Sequence, residues 1–157
     1  MTKIKLAGIF AGCTALATLG LNVDIAARAD NLAAGLHSGV NQHRQACGAI
    51  GSNPQLTAAA QRHADDMLNN GTFSHTGSDG SSPQARITES GYGGATSTGE
   101  IVYWGTGSAG TPSAALDFWM ASPGHRAIIL NCAFTEAGFA TARNGNLMTA
   151  VVDFAKQ

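Results

Sequence analysis

The chain has 157 residues and a formal charge of −1, with charged residues at only 12% against roughly a quarter in an average soluble domain. That is the length of one domain, and without a basic excess it has no electrostatic grip on a nucleic-acid backbone. Packing and loops rather than ion pairs must carry the fold, since 44% of the residues are hydrophobic and 20 are glycine.

Residues 1–29 read as a secretory signal. Lys3 and Lys5 precede an apolar run from Leu6 to Leu19, and Ala27-Arg28-Ala29 stands before Asp30, with small side chains where a signal peptidase needs them. Cleavage is expected after Ala29, which leaves 30–157 as a single secreted domain with no transmembrane segment. A membrane anchor is the competing reading, but the run falls short of the ~20 apolar residues of a span. A lipoprotein signal at Cys13 is a second alternative. Cleavage removes Cys13 and leaves Cys47 and Cys132, an even pair that predicts a disulfide in an oxidising compartment. Closing so long a loop restricts the unfolded chain by about 4 to 5 kcal/mol in the chain-entropy description.

Along the mature chain, Val40 to Cys47 suggests a short polar-faced helix. Asn53-Pro54 opens a longer one, with Asn as N-cap and Pro at the first helical position. Leu56, Ala60, Ala64, Met67 and Leu68 form its apolar stripe, and Gly71 stops it. His37, His43 and His63 read as ordinary packing or surface histidines. Gly71 to Ser82 is too rich in Gly, Ser and Asp for regular structure, and His75 lies within it. Ser82-Pro83 begins a short helix that Gly91 ends.

Glu100-Ile-Val-Tyr-Trp104 reads as a strand, and alternation sets Glu100, Val102 and Trp104 on one face with Ile101 and Tyr103 on the other. Gly105 to Gly110 spells G-x-G-x-x-G, but no acidic residue follows at the dinucleotide-binding distance, so it reads as a loop. Thr111-Pro112 opens a further helix carrying Ala115, Leu116, Trp119 and Met120. Ser122-Pro123 starts a small one, with Ser122 as N-cap and its oxygen engaged by the following turn. Ala137–Ala142 and Leu147–Ala155 are strands joined by a turn over Arg143–Asn146, in which Asn144-Gly145 is a strong hairpin signal.

Three residues stand out chemically. His125, at the third position of its helix, is kept neutral by the positive helix end. Two histidines and a carboxylate make a plausible zinc set, which singles out His75, His125 and Glu100. Ser122 and His125 also suggest a nucleophile and base, although the surroundings of a nucleophile elbow are missing.

The ordered segments SHTGSDGSSP, TGEIVYWG, FWMASPGHRAIIL and TEAGFATA, spanning about Val40 to Phe154, resemble the CAP superfamily of cysteine-rich secretory, antigen 5 and pathogenesis-related proteins, in its compact bacterial form. The resemblance implies an α+β fold: an α-β-α sandwich with a three- to four-stranded antiparallel sheet between helical layers. It also implies an open cleft lined by two histidines and two acidic residues. His75 matches the first histidine, Glu100 the first glutamate and His125 the second histidine. Ser122 stands where the second glutamate is expected, and Asp79 is the candidate acid in its place. The implied function is non-enzymatic binding of a lipid, sterol or cell-envelope component, with Zn2+ or another divalent cation on His75, His125 and Glu100. The alternatives are a metal-dependent hydrolase using Glu100 as general base, and a structural or host-interaction module with a vestigial cleft.

Overall fold

The computed structural model describes residues 17–157. Helix α1 (Ala17–His43) leads to β1 (Gly51–Ser52), α2 (Pro54–Asn70), α3 (Pro83–Glu89) and β2 (Ser97–Thr106). After a 3₁₀ turn at Gly107–Ala109 come α4 (Pro112–Ala121), α5 (Pro123–Ile129), β3 (Glu136–Asn144) and β4 (Leu147–Lys156). Lys3, Lys5 and Cys13 lie outside the described residues. Helix α1 runs without a break through Ala29, the position after which cleavage is expected.

The strand order is β1-β3-β4-β2. Expected as antiparallel throughout, the sheet is mixed, because β1 pairs with β3 in parallel through Gly51 and Ser52 alone.

Alternation along the strands builds two layers of core. Ile101, Tyr103, Val152 and Phe154 face Leu36 and Val40 of α1, Trp119 of α4 and Ile129 of α5. Val102 and Val151 face Ala60, Ala64 and Met67 of α2, and Ala155 meets Leu56 together with Ile87 of α3. Each fully buried large aliphatic side chain contributes about 1.5–3 kcal/mol. Helix α2 sits unusually close to β3: a Cβ on Gly138 would fall 2.0 Å from the Leu56 carbonyl carbon and 2.2 Å from the Thr57 nitrogen.

The helix ends follow their sequence signals. Asn53 accepts from the Gln55 and Leu56 N–H groups, and Gly71 closes α2 at φ 66°. Thr111 caps α4 through the Ala114 N–H. Three local expectations are corrected. The helix expected over Val40–Cys47 is the end of α1 followed by a turn, since Leu36 and Val40 supply an apolar stripe that continues upstream. Ser122 holds the N-cap position of α5 but makes no side-chain cap bond there, while its N–H closes α4 on the carbonyls of Phe118 and Trp119. The hairpin turn falls within the expected Arg143–Asn146, but its central pair is Gly145-Asn146 rather than Asn144-Gly145: Asn144 still pairs with Leu147, and Gly145 takes the positive φ, 55°, the glycine-first arrangement of a type II′ turn.

Cys47 and Cys132 are disulfide-bonded, as expected. Beside them the buried Arg44 guanidinium donates to the carbonyls of Ile129, Asn131 and Phe134 at 2.5–3.0 Å. Bridge and arginine together fasten the segment after α5 to the end of α1.

Candidate functional site

Strand β2 is an edge strand, and it carries Glu100 on the face turned toward α2 and α3. The Glu100 side chain is buried, and both of its oxygens are engaged. Oε1 lies 2.7 Å from His75 Nδ1, and Oε2 accepts from Arg86 Nη2 at 2.6 Å. Arg86, buried in α3, also donates to the His75 carbonyl at 3.0 Å and to the Ser81 carbonyl at 2.8 Å. One guanidinium therefore neutralises Glu100 and pins the irregular 71–82 loop that presents His75. Removing one member of a buried pair strands the other charge, at about 3–5 kcal/mol.

His75 is half-exposed. Its hydrogen bond to Glu100 outweighs partial burial and raises its pKa above the ordinary histidine value. Because Nδ1 is taken, Nε2 is the nitrogen left for the cleft. His125, at the start of α5, is shifted the opposite way: burial lowers its pKa, and the nearby charge of His75 adds to the effect. Its Nδ1 is buried with no hydrogen-bond partner among the described residues. The two shifts run in opposite directions, upward for His75 and downward for His125.

Three large apolar side chains are exposed among the described residues, Trp104, Phe118 and Leu130. Trp104 stacks on Phe73 of the His75 loop at 5.1 Å. Phe118 lies 5.6 Å from the His125 ring and 5.5 Å from Tyr103. An exposed aromatic ring thus accompanies His125, and another packs on Phe73 in the loop that carries His75.

The other expected site residues lie differently. The Asp79 carboxylate pairs with Arg62 at 2.8 Å and accepts from the Ser81 N–H at 2.8 Å; these contacts hold the loop, and none reaches His75, Glu100 or His125. Ser122 is half-buried at the α4–α5 junction, and its hydroxyl makes no bond to His125. His63, read as a packing residue, is fully buried with Nε2 bonded to the Ser74 carbonyl at 2.8 Å. Two residues of the network escaped the sequence reading, Arg86 and Asp153. Asp153 is fully buried and directly opposite Glu100 in the β2–β4 register. A lone carboxylate within the apolar run of β4 was the available signal for it.

For a cation the fit is partial. A carboxylate behind a histidine is a common way to orient a ligating ring, and the orphaned His125 nitrogen is a second donor. Glu100, however, is spent on His75 and Arg86, and among the described residues no group of three His, Cys, Asp or Glu is placed to hold a metal ion.

Solved structures share this architecture. An extracellular SCP-domain protein of Bacillus anthracis aligns with a TM-score of 0.71 at 20% identity, over 95% of this chain and 46% of its own. An outer surface protein of Borrelia burgdorferi aligns at 0.68 and 23% identity, over 78% of this chain and 90% of its own. A cysteine-rich secretory protein of Staphylococcus aureus aligns at 0.65 and 17%, over 82% and 39%. The chain thus spans less than half of the Bacillus and Staphylococcus proteins, and these identities establish the fold alone. No curated protein matches significantly. Residues 37–154 match the cysteine-rich secretory protein family, and the chain belongs to that family, also called CAP.

Proposed function

We propose that this CAP domain is a non-enzymatic binding protein acting outside the cytoplasm, and that its ligand lies along the β2 edge between His75 and His125. The observation that carries the reading is the state of Glu100. Its side chain is buried and its oxygens face His75 and Arg86, so it orients an imidazole and is shut off from the water a hydrolase would activate. A general base must reach the proton it abstracts, which places the hydrolase reading second.

Phe118 beside His125 and Trp104 on Phe73 of the His75 loop suit a ligand with an apolar body, such as a lipid or sterol, and a polar end. A divalent cation such as zinc, if bound, would be held by His75 and His125, with Glu100 supporting His75 from behind and the ligand completing the coordination. Such an ion would supply positive charge for the polar end of the ligand. Secretion is supported by the extracellular and outer-surface descriptions of the structural neighbours and by the disulfide.

Calorimetric zinc titration tests the site, run at about pH 7.5 and about pH 5.5 because ligating imidazoles must lose their protons. Binding is expected at the higher pH and is lost in His75→Ala and in His125→Ala. Zinc binding that persists in both variants refutes the assignment. Uptake of a fluorescent sterol and a fluorescent fatty acid, measured on the same variants and on Trp104→Ala, tests the ligand class. Turnover of ester substrates that vanishes in Glu100→Gln would favour the hydrolase instead.

A further inference from the structure

Asparagine followed by glycine occurs twice in the chain, at Asn70-Gly71 and at Asn144-Gly145. In such a pair the glycine backbone nitrogen can attack the asparagine side-chain carbon, because the new bond closes a five-membered ring and glycine has no side chain to obstruct the approach. The two pairs sit in opposite circumstances. Asn70 ends α2, and its Nδ2 donates to Asp66 Oδ1 at 2.7 Å and to Ser78 Oγ at 3.2 Å. The Gly71 N–H, whose nitrogen would attack, is bonded to the Met67 carbonyl at 3.1 Å. Reaction there requires the last turn of α2 to open and both side-chain bonds to break first.

Asn144 is restrained far less. It ends β3 at the hairpin turn, is exposed, and makes no side-chain hydrogen bond among the described residues. Gly145 is exposed as well, and its N–H has no acceptor among the described residues. Attack requires the peptide between them to rotate, and at the tip of a two-residue turn that rotation disturbs only the outermost pair of the ladder, Asn144 with Leu147. Such end pairs open at low cost. The neighbouring charge differs too: Asp66 stands against Asn70, whereas Arg143 lines the same groove as Asn144. A carboxylate formed at 144 would meet a guanidinium, and one formed at 70 would meet another carboxylate. We propose that Asn144 is a site of spontaneous deamidation in the folded protein and that Asn70 is protected from it. The Gly145 nitrogen gives up its proton and bonds to Asn144 Cγ, the Cγ–Nδ2 bond breaks, and Nδ2 leaves as ammonia with that proton. Water then adds to either carbonyl of the ring and opens it to aspartate or isoaspartate, with no change of oxidation state. Either product adds a negative charge to the hairpin, and isoaspartate also routes the main chain through the side chain, lengthening the turn. The reaction is independent of what the β2-edge cleft binds.

The test is ageing of the folded protein at mildly alkaline pH, followed by tryptic digestion and mass spectrometry. Cleavage after Arg62, Arg86, Arg143 and Lys156 puts the two pairs in separate peptides, 63–86 and 144–156. The mass gained when NH2 is replaced by OH reports conversion, and fragmentation gives its position. Each rate is divided by the rate at the same residue in the urea-unfolded chain, which removes the intrinsic reactivity of the pair. So normalised, conversion at Asn144 is expected to be about tenfold or more faster than at Asn70. Asn144→Gln keeps the backbone pairing with Leu147 and should abolish the mass gain in peptide 144–156. A normalised rate no greater at Asn144 than at Asn70 overturns the proposal. So does an unchanged Asn144 after a time in which the unfolded chain converts fully, or a mass gain in peptide 144–156 that survives Asn144→Gln.

Discussion

Asp153 sits where solvent cannot reach it, opposite Glu100 across the β2–β4 pair, and neither of its oxygens has a donor among the described groups. Burial, followed by the charge of Glu100, raises its pKa well above the ordinary carboxylate value, against the opposing pull of Arg86. A protonated Asp153 can donate to Glu100, and that proton lets two carboxyl groups share one pocket beside one guanidinium. The consequence for stability follows from linkage. Since the folded state holds the proton more tightly than the unfolded chain, this contribution is whole below the unfolded pKa near 3.9 and is lost as pH rises through the raised folded value. Asp153→Asn keeps a donor of the same shape without the titration. The variant should therefore gain stability over the wild type as pH increases from about 4 toward neutrality, measured by urea denaturation at each pH. Equal pH dependence in the two proteins would show Asp153 to be ionised in the fold. His75 and Glu100 could both be named from the sequence, one from its glycine-rich loop and the other from strand alternation. Their contact could not, and neither could Arg86 or Asp153, because cross-strand register and the seating of α3 are long-range outcomes.

At the scale of elements, the capping residues were the most legible feature. Asn53, Ser82 and Thr111 all cap the helices they precede, each followed by proline, because a cap is a local hydrogen bond that neighbouring residues determine. Legibility failed where one residue served two elements, as Ser122 does, or where an element is defined by its partner, as the two-residue β1 is. The tightest element contact is that of α2 on β3 at Gly138, where the backbone of Leu56 and Thr57 leaves no space for a methyl group. Gly138→Ala must push α2 off the sheet or bend β3, and overpacking of this kind costs about 1–3 kcal/mol or more. Thermal denaturation should show that loss, whereas Gly124→Ala, with open space around its Cβ position, should change little. Equal stabilities for the two variants would mean that α2 is free to shift.

For the molecule as a whole, the fold class was readable because hydrophobic periodicity and the ordered family segments agree. The sandwich follows once strands with two apolar faces must be covered on both sides. The disulfide was readable for another reason: only two cysteines remain after Cys13 is set apart. Linking residues 85 apart in sequence, it should hold the unfolded chain to a smaller ensemble. Replacing Cys47 and Cys132 together by serine should lower stability by about 2–5 kcal/mol. Arg44 still grips the same segment, so the far-ultraviolet circular dichroism of the folded double variant should match that of the wild type. Loss of the native spectrum under mild conditions would mean that Arg44 alone cannot keep the segment after α5 in place.

Trp119 is known so far only as a core side chain, yet its indole N–H reaches the Val102 carbonyl at 2.9 Å. Val102 lies midway along an outermost strand, whose unpaired backbone groups invite a strand from another molecule to add itself. By occupying that acceptor, the indole interrupts the template at its centre. The chain thus carries, inside its own hydrophobic interior, a guard against stacking with its copies.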